Sequence, residues 1–296
     1  MVKAARPINR PAAADTAATD VAATESTTTP GGTHWVAVKE MTWVSDSWRL
    51  RQGAQMYDQR NLTREEVLRE CNLWRRVCDP PHTAIVHLHA CYVERSRVFL
   101  VGDLMNVGSL WDVLVEKGRR GVGPAAALAA TRCLLDGLTH CHARGVLHRD
   151  VKLGNLLLSE SANSESVKLA DFGLSARMDA AGGVWGGVCG TPAYMAPELV
   201  RALTGPTGGG DVSGRARFTP AVDTWAAGVC LLCMLCGGMP FEDPLTAQRQ
   251  APPGRPLPDS FFTSRLERCL RVAAAAVAKS RRGRGNIGRG VGDSKL

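Results

Sequence analysis

Four polar side chains of types that could act on a metal-bound anion lie close together in the sequence. Asp150, Lys152 and Asn155 occupy one short stretch, and Asp171 follows the alternating run at 167–170. A carboxylate can accept or orient a hydroxyl proton, and a lysine can neutralise an anion. Carboxylate and amide oxygens are ligands that Mg²⁺ accepts. These residue types at this spacing favour transfer of an anionic group to a hydroxyl.

Residues 148–155 read HRDVKLGN, which resembles the catalytic loop H-R-D-x-x-x-x-N of protein kinases at every fixed position. Four further segments resemble motifs of that family in family order: VAVK (36–39), DFG (171–173), GTPAYMAPE (190–198) and DTWAAG (223–228). In this family the aspartate of the last motif, here Asp223, supports the backbone of the catalytic loop. The lysine at 152 and the GTPAYMAPE segment resemble Ser/Thr-specific members. The resemblance covers roughly residues 35–270.

In the second half of the chain, the resemblance implies a catalytic group and a magnesium site. Asp150 would orient the substrate hydroxyl, and Lys152 would neutralise the migrating phosphoryl group. Asn155 and Asp171 would ligate Mg²⁺, with Asp171 bridging the ion to the β- and γ-phosphates of ATP. Thr191 would bond both Asp150 and Lys152 and so hold the substrate-binding loop.

A lysine and a glutamate are expected to pair in the first half of the chain. Lys39 would reach the α- and β-phosphates of ATP. Thr63 and Glu66 form a capping-box pattern that predicts a helix over residues 64–77, whose apolar side chains fall on one stripe. Glu70 shares that stripe, and a carboxylate there needs a cationic partner. We therefore expect Glu70 to bind Lys39, with Glu66 as the second candidate.

A run that begins near residue 99, FLVGDLMNVGSL, resembles the strand and hinge that hold adenine in this family. Backbone groups of Asp103 and Met105 would bond the purine edge, and Ala37 and Leu157 would cover its two faces. In this register Gly102 takes the gatekeeper position behind the adenine. A glycine there predicts a hole that admits bulky substituted purines.

Two features of the family are missing from the sequence. A G-x-G-x-x-G hairpin normally lies before the strand lysine, but residues 17–22 read AATDVA. The phosphate-covering loop is therefore absent, and the small lobe is expected to be incomplete by two strands. At the other end, no D-P-x-x-R follows residue 270 to supply the arginine that usually pairs with Glu198.

The segment between the DFG and GTPAYMAPE motifs offers little for regulatory phosphorylation. Many kinases order this segment through a phosphate that pairs with the catalytic-loop arginine, here Arg149. Between Phe172 and Gly190 the single hydroxyl residue is Ser175, which lies close to the DFG motif. We predict that activity does not depend on phosphorylation of this segment, and that Arg149 faces solvent or binds a carboxylate such as Asp179.

Composition and charge argue against a membrane protein. The apolar run at 225–236 is shorter than the roughly 20 residues that a bilayer requires. The net charge is +8, and residues 261–296 hold nine basic against two acidic side chains.

Cys230, Cys233 and Cys236 are spaced as buried thiols on one helix, which is favoured over a metal site. With no secretory signal evident, we expect reduced cysteines and a cytoplasmic or nuclear location.

These elements predict an α+β fold with the two lobes of a protein kinase, a small mainly-β lobe and a larger mainly-α lobe. The sequence divides into a predicted disordered arm (1–33), a kinase domain (34–278) and a basic Arg/Gly-rich tail (279–296). Within the kinase domain, the lobe boundary is expected near 105/106 and a flexible insertion over 201–218.

The resemblance implies an ATP- and Mg²⁺-dependent protein serine/threonine kinase that acts on a protein substrate. A pseudokinase or scaffold without turnover is the alternative, which the missing glycine loop favours and the intact Lys39, Asp150, Asn155 and Asp171 oppose. RNA binding through the basic tail is a third hypothesis. A solvated tail is the preferred interpretation, so we expect neither a nucleic-acid nor a membrane partner.

Overall fold

The computed structural model describes several stretches of the chain and a few isolated positions near its end. They are residues 3–4, 21–26, 34–43, 62–119, 121–159, 167–204 and 216–239, with 246–247, 260–261, 263, 267 and 271. The predicted basic tail at 279–296 lies outside the described residues. Within the described part, no helix has both the length and the apolar character needed to cross a membrane.

The first lobe is built on an antiparallel sheet. Its strands within the described residues are β1 (Lys3–Ala4), β2 (Val21–Ser26), β3 (His34–Thr42), β4 (Leu88–Glu94) and β5 (Arg97–Asp103). They lie in the order β1-β2-β3-β5-β4. The pairing of β3 with β5 sets Ala37 opposite Gly102 and Lys39 opposite Leu100. Buried positions alternate along β5, as expected when one face of a strand packs on a core.

Strands β1 and β2 correct two of the predictions made from the sequence. The expectation of a disordered arm over residues 1–33 is wrong for 3–4 and 21–26, and the expectation that two strands are missing is wrong as well. Strand β2 pairs with β3 from Val21 opposite Lys39 to Ser26 opposite His34. Strand formation depends on the neighbouring strand more than on local propensity, so the Ala- and Thr-rich sequence did not reveal it. Residues 1–2, 5–20 and 27–33 lie outside the described residues.

Helix α1 (Arg64–Val77) carries the predicted glutamate beneath the sheet. It begins at the predicted capping box, in which Thr63 Oγ1 accepts a hydrogen bond from Glu66 N and Glu66 Oε2 accepts one from Thr63 N at 2.7 Å. Val67 is fully buried on the inner face. The predicted helix and its cap are confirmed, because both depend on contacts three or four residues apart.

The second lobe is mainly helical. Its helices within the described residues are α2 (Leu110–Glu116), α3 (Pro124–Ala143), α4 (Pro197–Thr204) and α5 (Pro220–Cys236). Its short strands are β6 (Gly108–Ser109), β7 (Val146–Leu147), β8 (Leu156–Leu158), β9 (Val167–Leu169), β10 (Ala176–Arg177), β11 (Val184–Gly186) and β12 (Ala216–Phe218). The predicted two-lobed α+β fold is confirmed.

Helices α3 and α5 form the centre of the second lobe. They pack on each other through a core that includes Leu134, Leu138, Cys230 and Cys233, all nearly or fully buried. The thiols of Cys230 and Cys233 thus lie in the apolar interior. Cys236 is partly exposed at the end of α5.

The predicted flexible insertion at 201–218 is too wide at both ends. Residues 201–204 complete helix α4, whose Val200 and Ala202 are buried in a second apolar cluster. Residues 216–218 form strand β12, whose Phe218 is buried in the same cluster. The apolar side chains at each end are therefore held by packing, which the glycine content of the intervening sequence obscured. Residues 205–215 lie outside the described residues.

Candidate active site

A buried carboxylate on α5 bonds the backbone of the catalytic loop. Asp223 is 1% exposed, and its oxygens accept hydrogen bonds from His148 N and Arg149 N, each at 2.9 Å. The same carboxylate lies 2.8 Å from His142 Nε2. Arg149 has a φ of 67°, a conformation that costs a side-chain-bearing residue about 1–2 kcal/mol. The predicted support of the loop by Asp223 is confirmed.

Asp150, the next residue in the loop, is oriented by two neighbours. Thr191 donates to Asp150 Oδ1 from its hydroxyl at 2.7 Å and from its backbone N–H at 3.0 Å. Lys152 Nζ lies 2.8 Å from Asp150 Oδ2 and 3.2 Å from Thr191 Oγ1. These contacts are the ones predicted for Thr191. Both oxygens of the buried carboxylate are thereby directed, and an ammonium group stands beside it.

A cluster of three charges joins the two lobes. Lys39 Nζ on β3 lies 2.8 Å from Glu70 Oε1 on α1 and 3.1 Å from Asp171 Oδ1 in the DFG motif. The predicted pairing of Lys39 with Glu70 is confirmed. Glu66, the second candidate, is instead engaged in the helix cap. The DFG carboxylate, the β3 lysine and helix α1 are therefore held in one arrangement.

Burial and charge act in opposite directions on this cluster. Burial lowers the pKa of Lys39, but the charges of Asp171 and Glu70 outweigh it and raise the pKa above its ordinary value. Burial raises the pKa of Glu70, against the opposing effect of the lysine. The Lys39 ammonium holds the pKa of Asp171 at about 2. Lys39 stays cationic and Asp171 anionic at neutral pH, so each can bind a group of opposite charge.

Asn155 and Asp171 fit the predicted divalent-cation site by donor chemistry. Asn155 Nδ2 donates to the carbonyl of Asp150 at 2.8 Å, so the amide oxygen is the atom that a cation would use. The Asp171 side chain is 39% exposed, so its carboxylate is accessible. Within the described residues, no three His, Cys, Asp or Glu side chains are grouped so that they could hold a metal ion. A cation here would need further oxygen ligands from a substrate, which is how Mg²⁺ commonly binds.

The predicted hinge follows β5. The backbone N–H of Asp103 donates to the carbonyl of His87 at 3.0 Å. Because this N–H is already bonded, the carbonyl of Asp103 is the backbone group that could bond a purine. Its carboxylate is 2.6 Å from Lys168 Nζ. Met105 is half-buried just beyond β5, and Ala37 and Leu157 are half-buried on β3 and β8. The ion pair with Lys168 was not expected from the sequence; it ties the hinge to the second lobe.

A family model described as protein kinase domain matches residues 36–254. The chain belongs to the protein kinases, of the eukaryotic Ser/Thr type.

Two relatives support the same family. The chain is 38% identical over 184 residues to a putative CBL-interacting protein kinase 27 of Oryza sativa subsp. japonica, a match that covers 60% of this chain and 40% of the relative. It is 35% identical over 179 residues to the calcium/calmodulin-dependent protein kinase type II alpha chain of Drosophila melanogaster, covering 60% of this chain and 30% of that one. The chain thus spans well under half the length of these curated relatives.

An indole ring fills the hole predicted behind the kinase's adenine site. A Cβ placed on Gly102 would lie 3.2 Å from Cη2 and Cζ2 of Trp74, and 2.9 Å from the carbonyl oxygen of His87. The predicted hole is therefore wrong. Trp74 comes from α1, a separate element, so the strand sequence alone could not reveal that its ring reaches this position.

The same indole belongs to an aromatic column that sequence reasoning missed. Its ring stacks on Phe172 of the DFG motif with centroids 6.3 Å apart, and Phe172 meets the ring of His148 at 5.3 Å. All three side chains are buried. The signal in the sequence was that Trp74 follows Glu70 by four residues and shares its helix face.

Residues 174–189, the activation segment of the kinase, are held by β12, the strand that precedes α5. Strand β11 pairs with β12, and Asp179 forms an ion pair with Arg217 of β12 at 3.3 Å. Arg149 lies over the ring of Phe218 at 5.0 Å and donates to the carbonyl of Leu174 at 2.7 Å. Asp179, the carboxylate suggested as a partner for Arg149, pairs with Arg217 of β12, and Arg149 packs on Phe218.

Ser175, the single hydroxyl residue of this segment, is fully buried. Its Oγ donates to the carbonyl of His148 at 3.3 Å. A protein kinase or phosphatase could not reach this hydroxyl in the folded state.

Proposed function

We propose that this kinase domain transfers the γ-phosphoryl group of Mg-ATP to Ser or Thr hydroxyls of a protein substrate. One observation carries the proposal: Lys39 contacts Glu70 and Asp171 together, at 2.8 and 3.1 Å. The lysine that would hold the ATP phosphates and the carboxylate that would hold the metal then face one cleft. This arrangement needs the nucleotide-binding lobe and the catalytic lobe to be aligned.

The residues of the catalytic loop then have distinct tasks. Asp150, held by Thr191 and Lys152, would accept a hydrogen bond from the substrate hydroxyl and direct its oxygen towards the phosphorus. The Lys152 ammonium would offset negative charge on the transferring group. These donors and charges are in place before any substrate binds, so little reorganisation is needed.

Asn155 and Asp171 would hold Mg²⁺, and the ion would neutralise charge on the β- and γ-phosphates when bound. Lys39 would bind the α- and β-phosphates. The carbonyl of Asp103 and the backbone of Met105 would orient the purine. Binding of ATP and Mg²⁺ thus uses residues from both lobes.

A pseudokinase or scaffold remains the second candidate, because one sequence feature favours it. The segment between β1 and β2, residues 5–20, has no glycine, so the G-x-G-x-x-G donors that cover the phosphates are lacking. Loss of such donors could cost on the order of 10²–10³ in rate, by analogy with removal of one oxyanion donor. Slow turnover is therefore expected even if the chain is an active kinase.

The test compares phosphoryl transfer by the parent and Asp150→Asn. The variant should lose on the order of 10³ in kcat, because the group that orients the hydroxyl is removed. Its nucleotide affinity should change little. Asp171→Ala should weaken Mg-ATP binding instead, as measured by titration calorimetry.

Asp136→Asn, the same chemical change on the exposed surface of α3, is the matched control and should keep the parent rate. A parent that binds Mg-ATP without transferring phosphate would favour the pseudokinase. Equal turnover in the parent and Asp150→Asn would contradict the proposal.

A further inference from the structure

We propose that Trp74 of helix α1 is the side chain that closes the nucleotide pocket behind Gly102, and so decides which purine substituents the pocket admits. The proposal rests on the proposed function, because it concerns the purine of ATP. Position 102 itself has no side chain. Selectivity at this point is thus assigned to a different element of the fold.

The contact geometry leaves no free space at position 102. A Cβ there would meet two atoms of the indole six-membered ring at 3.2 Å and the carbonyl oxygen of His87 at 2.9 Å. Real Cβ atoms essentially never lie as close as 2.9 Å to another heavy atom, and 3.2 Å is closer than most real Cβ contacts. Glycine is therefore the residue that lets the indole of Trp74 lie against β5.

The indole is fixed by a hydrogen bond, a ring contact and burial. Its Nε1 donates to the carbonyl of Val86 at 2.7 Å in the interior, and its ring stacks on Phe172 with an interplanar angle of 22°. Only 7% of Trp74 is exposed. A buried N–H that loses its acceptor carries a penalty, so the ring has little freedom to swing aside. The wall behind Gly102 is consequently rigid.

Trp74 lies one helical turn after Glu70 on the same face of α1. The ion pair between Glu70 and Lys39 therefore positions the helix turn that carries the indole. Gly102 directly precedes Asp103, whose carbonyl is the backbone group able to face the purine amine. A bulky group on that amine would extend towards position 102 and meet the indole.

The probes for the test are ATP and N6-benzyl-ATP, with binding measured by calorimetric titration. The parent should prefer ATP by at least about tenfold, since a closed apolar wall rejects an added ring. Trp74→Phe removes Cη2 and Cζ2 but keeps a ring against Phe172, and it should reduce the preference by about tenfold or more. Trp74→Leu serves as the second variant if the first folds poorly. Trp225→Phe, the same change on α5, should retain the parent preference.

A parent that binds both nucleotides equally would overturn the proposal. So would an unchanged preference in both Trp74→Phe and Trp74→Leu.

A second measurement needs no nucleotide. Gly102→Ala should lower the urea midpoint of unfolding in the parent, and lower it less in a Trp74→Phe background, because the ring atoms that the new methyl meets are gone. If Gly102→Ala lowers the urea midpoint by the same amount in the parent and in Trp74→Phe, the proposal is overturned. A parent that binds neither nucleotide would contradict the proposed function, and this cycle alone would then decide whether Trp74 forms the wall behind position 102.

Discussion

Removal of the Asp223 carboxylate tests whether the strained catalytic loop depends on helix α5. The perturbation is Asp223→Ala. In the parent, this carboxylate accepts the backbone N–H groups of His148 and Arg149 at 2.9 Å. The second of these N–H groups belongs to Arg149, the residue whose φ is 67°, and the first to the residue before it. The variant should therefore affect both stability and the placement of Asp150, the next residue.

The magnitude follows from the groups left without an acceptor. Each buried N–H that loses its partner costs about 1–3 kcal/mol, so two together cost about 2–6 kcal/mol. Relaxation of Arg149 from its left-handed conformation would return about 1–2 kcal/mol. We expect a net loss of about 1–4 kcal/mol in the free energy of unfolding. The same relaxation would displace Asp150, so kcat should fall more than KM rises.

Urea denaturation and steady-state kinetics measure the two effects. Thr224→Ala is the matched control, because Thr224 is the exposed neighbour of Asp223 on the same helix. Its hydroxyl donates to the carbonyl of Pro220 at 3.0 Å. The free energy of unfolding of this variant should stay within about 0.5 kcal/mol of the parent value. Asp223→Asn keeps one acceptor oxygen and should fall between the parent and Asp223→Ala. A loss below about 1 kcal/mol in Asp223→Ala, with kcat unchanged, would refute the reasoning.

Four further predictions concern charge and the activation segment. Glu70→Gln should raise KM for ATP by roughly tenfold with a smaller effect on kcat, because it weakens the ion pair that positions the β3 lysine; an unchanged KM would count against that role. Phosphatase treatment should leave activity unchanged and mass spectrometry should find Ser175 unmodified, because this hydroxyl is buried; an activity loss that tracks a phosphate there would disprove this. Arg217→Ala should speed proteolysis near residue 179, since it removes the partner of Asp179; unaltered cleavage would show that the strand pairing suffices. The pKa of Asp171 is lowered to about 2, so its ionised form stabilises the fold above about pH 4 and this contribution is lost as the pH falls towards 2; an Asp171→Asn variant should lack that part of the acid transition.

The sequence by itself determined the elements that depend on short-range contacts and on strongly constrained chemistry. Helix α1 was predictable because Thr63 and Glu66 cap each other across three residues. The partner of Lys39 was predictable because a glutamate on an apolar helix face needs a cation. The loop bearing Asp150 was recognisable from its motif, since its residue types must stand at set spacings to act together.

Only the tertiary structure decided the contacts between distant segments. Strand β2 exists through pairing with β3, and β12 holds the activation segment through pairing with β11. The indole of Trp74 occupies the space behind Gly102, which no pattern within β5 could indicate. Register, packing and the choice among charged partners depend on which surfaces meet after folding. A single strand or loop carries no record of what will lie against it.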